Sequence, residues 1–185
     1  MWTRRDAVAS FLFGALVLVV GCGKTSEPKR PAAARLGLDP QGNLRVSEGD
    51  RCPMCAMDAF AHRSWAGAVE LDDGTTWYTC SVRCAFGTAL KCEQFLGVTP
   101  QRIRRVRVPN YMHPERSIDA NTALYVIDSD IRGPMGLALV PAASKEDVDV
   151  IVKRHGGRVL QRADITIEVL MDLKKRSKAP QPGSS

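Results

Sequence analysis

Apolar and polar positions alternate from Arg63 onward, with Trp65, Gly67, Val69 and Leu71 on one side of an extended segment. Asp72-Asp73-Gly74 is a hairpin signal, and Thr75 to Thr79 is β-prone. The period then changes. Ser81 has the character of an N-cap, and Ala85, Phe86, Ala89 and Leu90 recur at helical spacing. Ile103 to Val108 returns to a strand pattern. The order then repeats: Ala123 to Ile127 reads as a strand, Arg132-Gly133-Pro134 as a turn and Leu137 to Val140 as a second strand. Ser144 and Asp147 make a capping-box-like start, Val148, Ile151, Val152 and His155 share a face, and Gly156-Gly157 ends the helix. Arg158 to Leu160 begins a closing strand. The pattern predicts an α+β chain of two ββαβ units, over residues 46–110 and 111–175. Asp164 to Lys175 fits a final helix, although Ile165, Ile167 and Val169 also alternate.

Composition narrows the class. The chain has 185 residues, room for one ordinary domain or two small ones, and its 44% hydrophobic and 25% charged content excludes wholesale disorder. Aromatics are only 6%, so the core must rest on aliphatic residues and methionine. Three histidines argue against a His-rich zinc enzyme, and six cysteines are too sparse for a disulfide-stapled mini-protein. A thiol-based site remains. No Ser–His–Asp set, Gly-rich phosphate loop or pair of catalytic carboxylates is present, which speaks against an enzyme.

The amino terminus carries targeting information. Arg4 and Arg5 precede a run from Ala7 to Gly21 in which Ser10 is the only polar side chain. The run is shorter than the ~20 residues of a comfortable membrane span but suits a signal-peptide core. It ends Val19-Val20-Gly21-Cys22, which resembles a bacterial lipobox. Residues 1–21 are therefore expected to be a lipoprotein signal peptide, with Cys22 lipidated and the protein anchored in the bacterial cell envelope facing the periplasm. Thr3-Arg4-Arg5-Asp6 is a weak twin-arginine match, so the export route stays open. Residues 22–45 and 176–185, polar and without apolar periodicity, are expected as a flexible tether and a disordered tail. The net charge is +6, and Arg102, Arg104, Arg105 and Arg107 form a basic run read as a solvated strand face; contact with lipid phosphates or an acidic partner is the functional alternative. Export excludes nucleic acid as a partner.

The informative chemistry is sulfur. Cys52-Pro53-Met54-Cys55-Ala56-Met57 places two thiols and a thioether within six positions, and Cys80 and Cys84 sit at the predicted strand-to-helix junction. Near a helix start the dipole favours thiolate. Met135, in Gly133-Pro134-Met135-Gly136, occupies a predicted hairpin tip. Mixed thiolate and thioether ligands favour Cu(I), whereas four thiolates suit zinc equally well. Either cysteine pair is also able to form a disulfide in an oxidising compartment, and a thioredoxin-like redox site is a further alternative. His62 is a candidate nitrogen donor; His113 reads as a loop residue and His155 as a structural one at a helix C-terminus. Cys92 is expected to be buried, Met54 to pack in its turn, and Met112 and Met171 to be core.

At these residues the chain resembles known families. Residues 52–90, with CPMCAM and WYTCSVRC, are similar to TRASH/YHS metal-binding modules. Residues 118–162, with SIDANTALYVIDSDIRGPMG and KRHGGRVL, resemble the second half of the NosL family of nitrous-oxide reductase accessory lipoproteins. The resemblance implies a two-repeat fold shared with organomercurial lyase, and Cu(I) binding for delivery to a periplasmic cuproenzyme, with nitrous-oxide reductase or its maturation machinery as the expected partner. Carried over by motif, the ligand candidates are Cys52, Cys55, Met57 and Met135, with Cys80 and Cys84 as assisting or second-site ligands. Two departures stand out: Ala56 replaces the usual glycine of the CPxCGM motif, and the Cys80/Cys84 pair is absent from many members. A structural or sensory zinc module is the alternative class, and an enzyme like organomercurial lyase a third.

The lipobox reading makes a direct prediction. Cys22→Ser protein should move to the soluble fraction after a high-salt wash, because stable attachment needs more than one acyl chain and the variant has none; a variant that stays on the membrane removes the lipid anchor from consideration.

Overall fold

The computed structural model describes residues 35–178, with side chains described from Gly37; the expected signal peptide and Cys22 lie outside this range. β1 (Arg35–Leu36), β2 (Gly67–Leu71), β3 (Thr75–Thr79), β4 (Ile103–Asn110) and β5 (His113–Asp119) form one antiparallel sheet in the order β1-β3-β2-β4-β5. Helices α1 (Val82–Leu90) and α2 (Cys92–Leu96) connect β3 to β4. A second antiparallel sheet has the order β10-β6-β9, from β6 (Leu124–Ile127), β9 (Val140–Ala142) and β10 (Arg158–Leu160). Between β6 and β9 a small hairpin is inserted, β7 (Arg132–Gly133) with β8 (Gly136–Leu137). α3 (Lys145–His155) joins β9 to β10, and α4 (Ile167–Lys178) closes the described chain.

The architecture is α+β, and both sheets carry the same ββαβ connectivity. In the first, β3 and β4 flank β2; in the second, β9 and β10 flank β6. Local signals account for the elements. Ser81 caps α1 by accepting from the Cys84 amide, and Ser144 caps α3 by accepting from the Asp147 amide. Gly74 turns the β2–β3 hairpin at φ +83°.

Two expectations need correction, and one open reading is decided in favour of the final helix. The strand expected over Leu137–Val140 is split: Leu137 belongs to the inserted hairpin and β9 starts only at Val140. Residues 167–178 are helical, with Leu170 and Leu173 buried three positions apart on one face, so the alternation of Ile165, Ile167 and Val169 is incidental. Within the stretch expected as a tether, the chain from Arg35 is already in the fold. β1 pairs with β3, Leu38 is buried, and Leu44 packs with Ala59, Ala68 and Tyr78. The Tyr78 hydroxyl donates to Gly37 O and accepts from the Arg45 amide. This cover explains why all five residues of β2 are buried although its sequence alternates: α1 lies over one face and residues 38–66 over the other.

The basic run is also absorbed by the fold. Arg102 pairs with Asp72 and Asp73 at the hairpin, Arg105 with the buried Glu70, and Arg107 donates to Ser117 and its carbonyl. All four arginines thus have partners on their own sheet; Arg104, the most exposed, lies 3.9 Å from Glu70 Oε1.

One core joins the two units. Phe86 on α1 meets Tyr125 on β6 edge-on, with ring centroids 5.3 Å apart, and Val69, Ile127, Leu139 and Leu173 pack around them. Each such side chain contributes about 1.5–3 kcal/mol on burial. α1 approaches its sheet closely at Gly67, where a Cβ would stand 2.7 Å from the Ala85 Cβ. Among the described residues, no helix is long and apolar enough to cross a membrane.

Candidate metal centre

Cys80 follows the last residue of β3, and Cys84 lies in the first turn of α1, its amide held by the Ser81 cap. One helical turn therefore separates the two thiols, and their sulfurs are 3.7 Å apart. Cys52 and Cys55 come from the loop before β2. That loop closes on itself, with the Cys52 amide donating to Met57 O (2.9 Å) and the Ala56 amide donating to Cys52 O (2.8 Å). The closure aims both thiols at the β3–α1 junction. Cys55 Sγ lies 3.4 Å from Cys80 Sγ and 4.0 Å from Cys84 Sγ, and all four sulfurs fall within 4.8 Å of one another. A tetrahedral metal with bonds near 2.3 Å to sulfur has sulfur–sulfur edges of about 3.8 Å. The spacing matches a single soft ion.

Burial is uneven. Cys52, Cys80 and Cys84 are buried, while Cys55 is half-buried. Met57 and Met135 pack against the group as partly buried thioethers. Met135 arrives on the β7–β8 hairpin, which is tied down by Ser177 of α4. The Ser177 hydroxyl accepts from the Leu137 amide and from Arg83 Nη1 and donates to Leu173 O. Gly136 is needed at this contact, since a Cβ there would lie 2.4 Å from the Ser177 Cβ.

Charge in the group is shared through hydrogen bonds. The Cys52 thiol is held far below its ordinary value by bonds from Cys55, Cys80 and Cys84. Cys80 and Cys84 are pushed up, first by their bonds to Cys52 and Cys55 and then by burial. Cys55 is also lowered, its bond to Cys52 opposing and its bonds to Cys80 and Cys84 favouring the thiolate, so negative charge falls on the loop pair and the protons stay on the Cys80/Cys84 pair. Arg83, buried between the two cysteines in sequence, has no carboxylate partner among the described residues. Burial lowers its guanidinium below the usual range, and the charges of Cys84 and Cys80 act in the opposite direction.

The remaining candidates are placed elsewhere. His62 sits in the turn 59–65, bonded through its backbone to Ala59 and Trp65, and is not part of the sulfur group. His155 Nδ1 lies 2.8 Å from Asp130 Oδ1 at the far end of α3. Cys92 is buried in the shared core. Met112 and Met171, expected in the core, are exposed, Met171 by 62%. Met54 is also exposed and rests on α1, its sulfur 2.8 Å from the point a Gly87 Cβ would occupy. The convergence of both cysteine pairs on one point had no local signal, because it depends on the long loop 38–66 folding back over β2.

Ala56 explains its own oddity. It sits at φ +62°, the left-handed region where a Cβ is strained, in the position the resemblance assigns to glycine. Ala56→Gly should therefore stabilise the reduced, metal-free protein by about 0.5–1 kcal/mol, the relief of strain exceeding the entropy glycine adds to the unfolded chain. Denaturant unfolding measures it; a destabilised variant would mean the exposed methyl group packs.

The family model NosL matches residues 43–170. The copper-binding lipoprotein NosL of Stutzerimonas stutzeri is 25% identical over 156 residues, covering 83% of this chain and 77% of that protein. The crystal structure of the copper chaperone NosL from Shewanella denitrificans superposes with a TM-score of 0.58 at 19% identity, over 70% of this chain and 98% of that one, a likeness of fold. The solution structure of apo-NosL from Achromobacter cycloclastes gives a TM-score of 0.42 at 29% identity, over 56% and 87% of the two chains. With the family model matched over residues 43–170, more than half of the sequence, the chain belongs to the NosL family.

Proposed function

We propose that the protein is a lipid-anchored metallochaperone of the bacterial cell envelope that carries Cu(I) as cargo on its periplasmic side. The observation that carries the reading is the sulfur group itself: four thiols in mutual contact, with the Met57 and Met135 thioethers packed against them. Soft sulfur donors select Cu(I), and zinc seldom takes thioether. A carrier must also release its ion. The half-buried Cys55 offers an incoming ligand a first point of exchange, while the three buried thiols retain the metal. A periplasmic cuproenzyme is the proposed recipient, with nitrous-oxide reductase or its maturation machinery the first candidate.

A second reading is favoured by the sulfur–sulfur distances, which fit a four-thiolate zinc centre. Ligand removal separates the two. Under the copper reading, Met135→Ile weakens Cu(I) binding about tenfold, some 1.4 kcal/mol, and leaves the fold intact. Cys55→Ser comes close to eliminating binding, because an anionic ligand neutralises the metal's charge. Competition of Cu(I) and Zn(II) for the reduced protein, read against a Cu(I)-specific chelator with X-ray absorption counting sulfur ligands, checks both. If Met135→Ile binds copper like the unaltered protein, and zinc displaces Cu(I) unless Cys80 or Cys84 is replaced, the zinc module takes its place.

The protons held in the metal-free group set a pH dependence. Cys80 and Cys84 are shifted upward, so they keep their protons at neutral pH and must lose them when metal binds. Apparent affinity should therefore rise with pH, by about tenfold per unit for each proton displaced. Chelator competition across pH 6 to 9, roughly the range in which a free thiol begins to ionise, reads the slope. A flat profile would show that the thiols are already ionised before the metal arrives.

A further inference from the structure

Beside the sulfur group lies a groove of about 300 Å³ that neither cargo binding nor the fold requires. Cys55 and Cys84 lie at its base, and the thioethers of Met54, Met135 and Met171 line it. Phe95 and Leu170 supply an apolar wall, and Lys91 and Lys174 stand at the exposed margin. Buried Arg83 adds a third cation. Among the described residues, no carboxylate lines the groove. The acids of the adjoining helices are Glu93, Glu168 and Asp172; Asp172 is bound to Arg176, and Glu168 faces the charge of Lys91. The last turn of α4 beyond the groove carries Lys175, Arg176 and Lys178.

Two of the described large apolar side chains that stand exposed, Met54 at 37% and Met171 at 62%, fall in this one groove. Methionine is the side chain best able to repack around an incoming surface, and its sulfur is itself a weak Cu(I) donor. A cationic margin around a thioether-lined floor that ends on the half-buried thiol is the complement of one kind of visitor. We infer that the groove is the docking surface for an acidic polypeptide segment bearing a methionine or cysteine sulfur, which collects the metal through Cys55. The inference rests on the copper reading above and adds to it the chemistry of the recipient. The lysines steer the segment, so they act on the rate of encounter rather than on metal affinity. The methionines offer successive weak donors, so the ion moves from thiolate to partner without passing through water.

The test uses two synthetic peptides with the same pair of methionines, flanked by aspartates in one and by lysines in the other. Fluorescence anisotropy with the reduced, metal-free protein reads docking alone. Anaerobic stopped-flow mixing with Cu(I)-loaded protein reads transfer. The acidic peptide should bind the metal-free protein and accept Cu(I) about tenfold faster than the basic one at low salt, an advantage that high salt abolishes. Lys91→Glu/Lys174→Glu protein should reverse the preference while keeping its melting temperature and its Cu(I) dissociation constant. Met171→Ala should slow transfer to both peptides and leave their ranking unchanged. Equal binding of the two peptides, or a charge-reversed protein that behaves like the unaltered one, overturns the docking surface. So does protection of the groove by anionic phospholipid vesicles without peptide discrimination, which assigns the face to the membrane. If the protein takes up no Cu(I), the cargo reading fails, and the anisotropy arm still decides the groove.

Discussion

Helix α1 can hold Cys84 beside Cys80 at the end of the first sheet only because the sheet lets it come close. The absence of a side chain at Gly67 sets that approach, with Ala85 lying where a Cβ would need to be. From there the geometry propagates. Cys80 ends the strand, Ser81 caps the helix, and Cys84 follows one turn later at a distance fixed by the helix itself. The loop of Cys52 and Cys55 then has a rigid target, and the shared core around Phe86 and Tyr125 holds the second unit's hairpin above it. A bulkier residue at position 67 would lift α1 and spread the sulfurs apart.

The sequence displays the parts of this arrangement that are local. The Ser81 and Ser144 caps, the Asp-Asp-Gly hairpin and the Gly156-Gly157 terminator are each written within a few residues, and each stands where its pattern places it. The sulfur motifs are equally plain as motifs. Whether the two cysteine pairs form one group or two is a different kind of question. Its answer lies in the packing of Leu38, Leu44, Val46 and Ala59 over the outer face of β2, and none of those residues has a periodicity that announces it. Partnerships at long sequence distance are likewise silent: Arg105 with Glu70, and Arg83 with Ser177, leave no local trace. The exposure of Met171 was hidden for the same reason, since its helix also fits an alternating pattern.

Electrostatics give the sulfur group a character beyond its geometry. Without metal, its hydrogen bonds favour negative charge on Cys52 and Cys55 over Cys80 and Cys84. Beside the group lies Arg83, a buried cation that no carboxylate among the described residues neutralises and whose guanidinium the charges of Cys84 and Cys80 favour. Each explains the presence of the other: a guanidinium buried without a counter-charge is costly, and so is a thiolate cluster. The four sulfurs are already gathered before cargo arrives, which favours a preformed site over one assembled by the ion.

The Ser177 hydroxyl has a mechanical consequence. It is the one atom at which the end of α4, the hairpin bearing Met135 and the Arg83 guanidinium meet, and all of its hydrogen-bonding capacity is used there. Ser177 lies one residue before the described end of α4. Any load that unwinds this last turn, such as a fused tag or an immobilising linker at the carboxyl terminus, pulls on the roof of the sulfur group. For this protein the carboxyl terminus is a lever on its chemistry, and a handle is safer placed elsewhere.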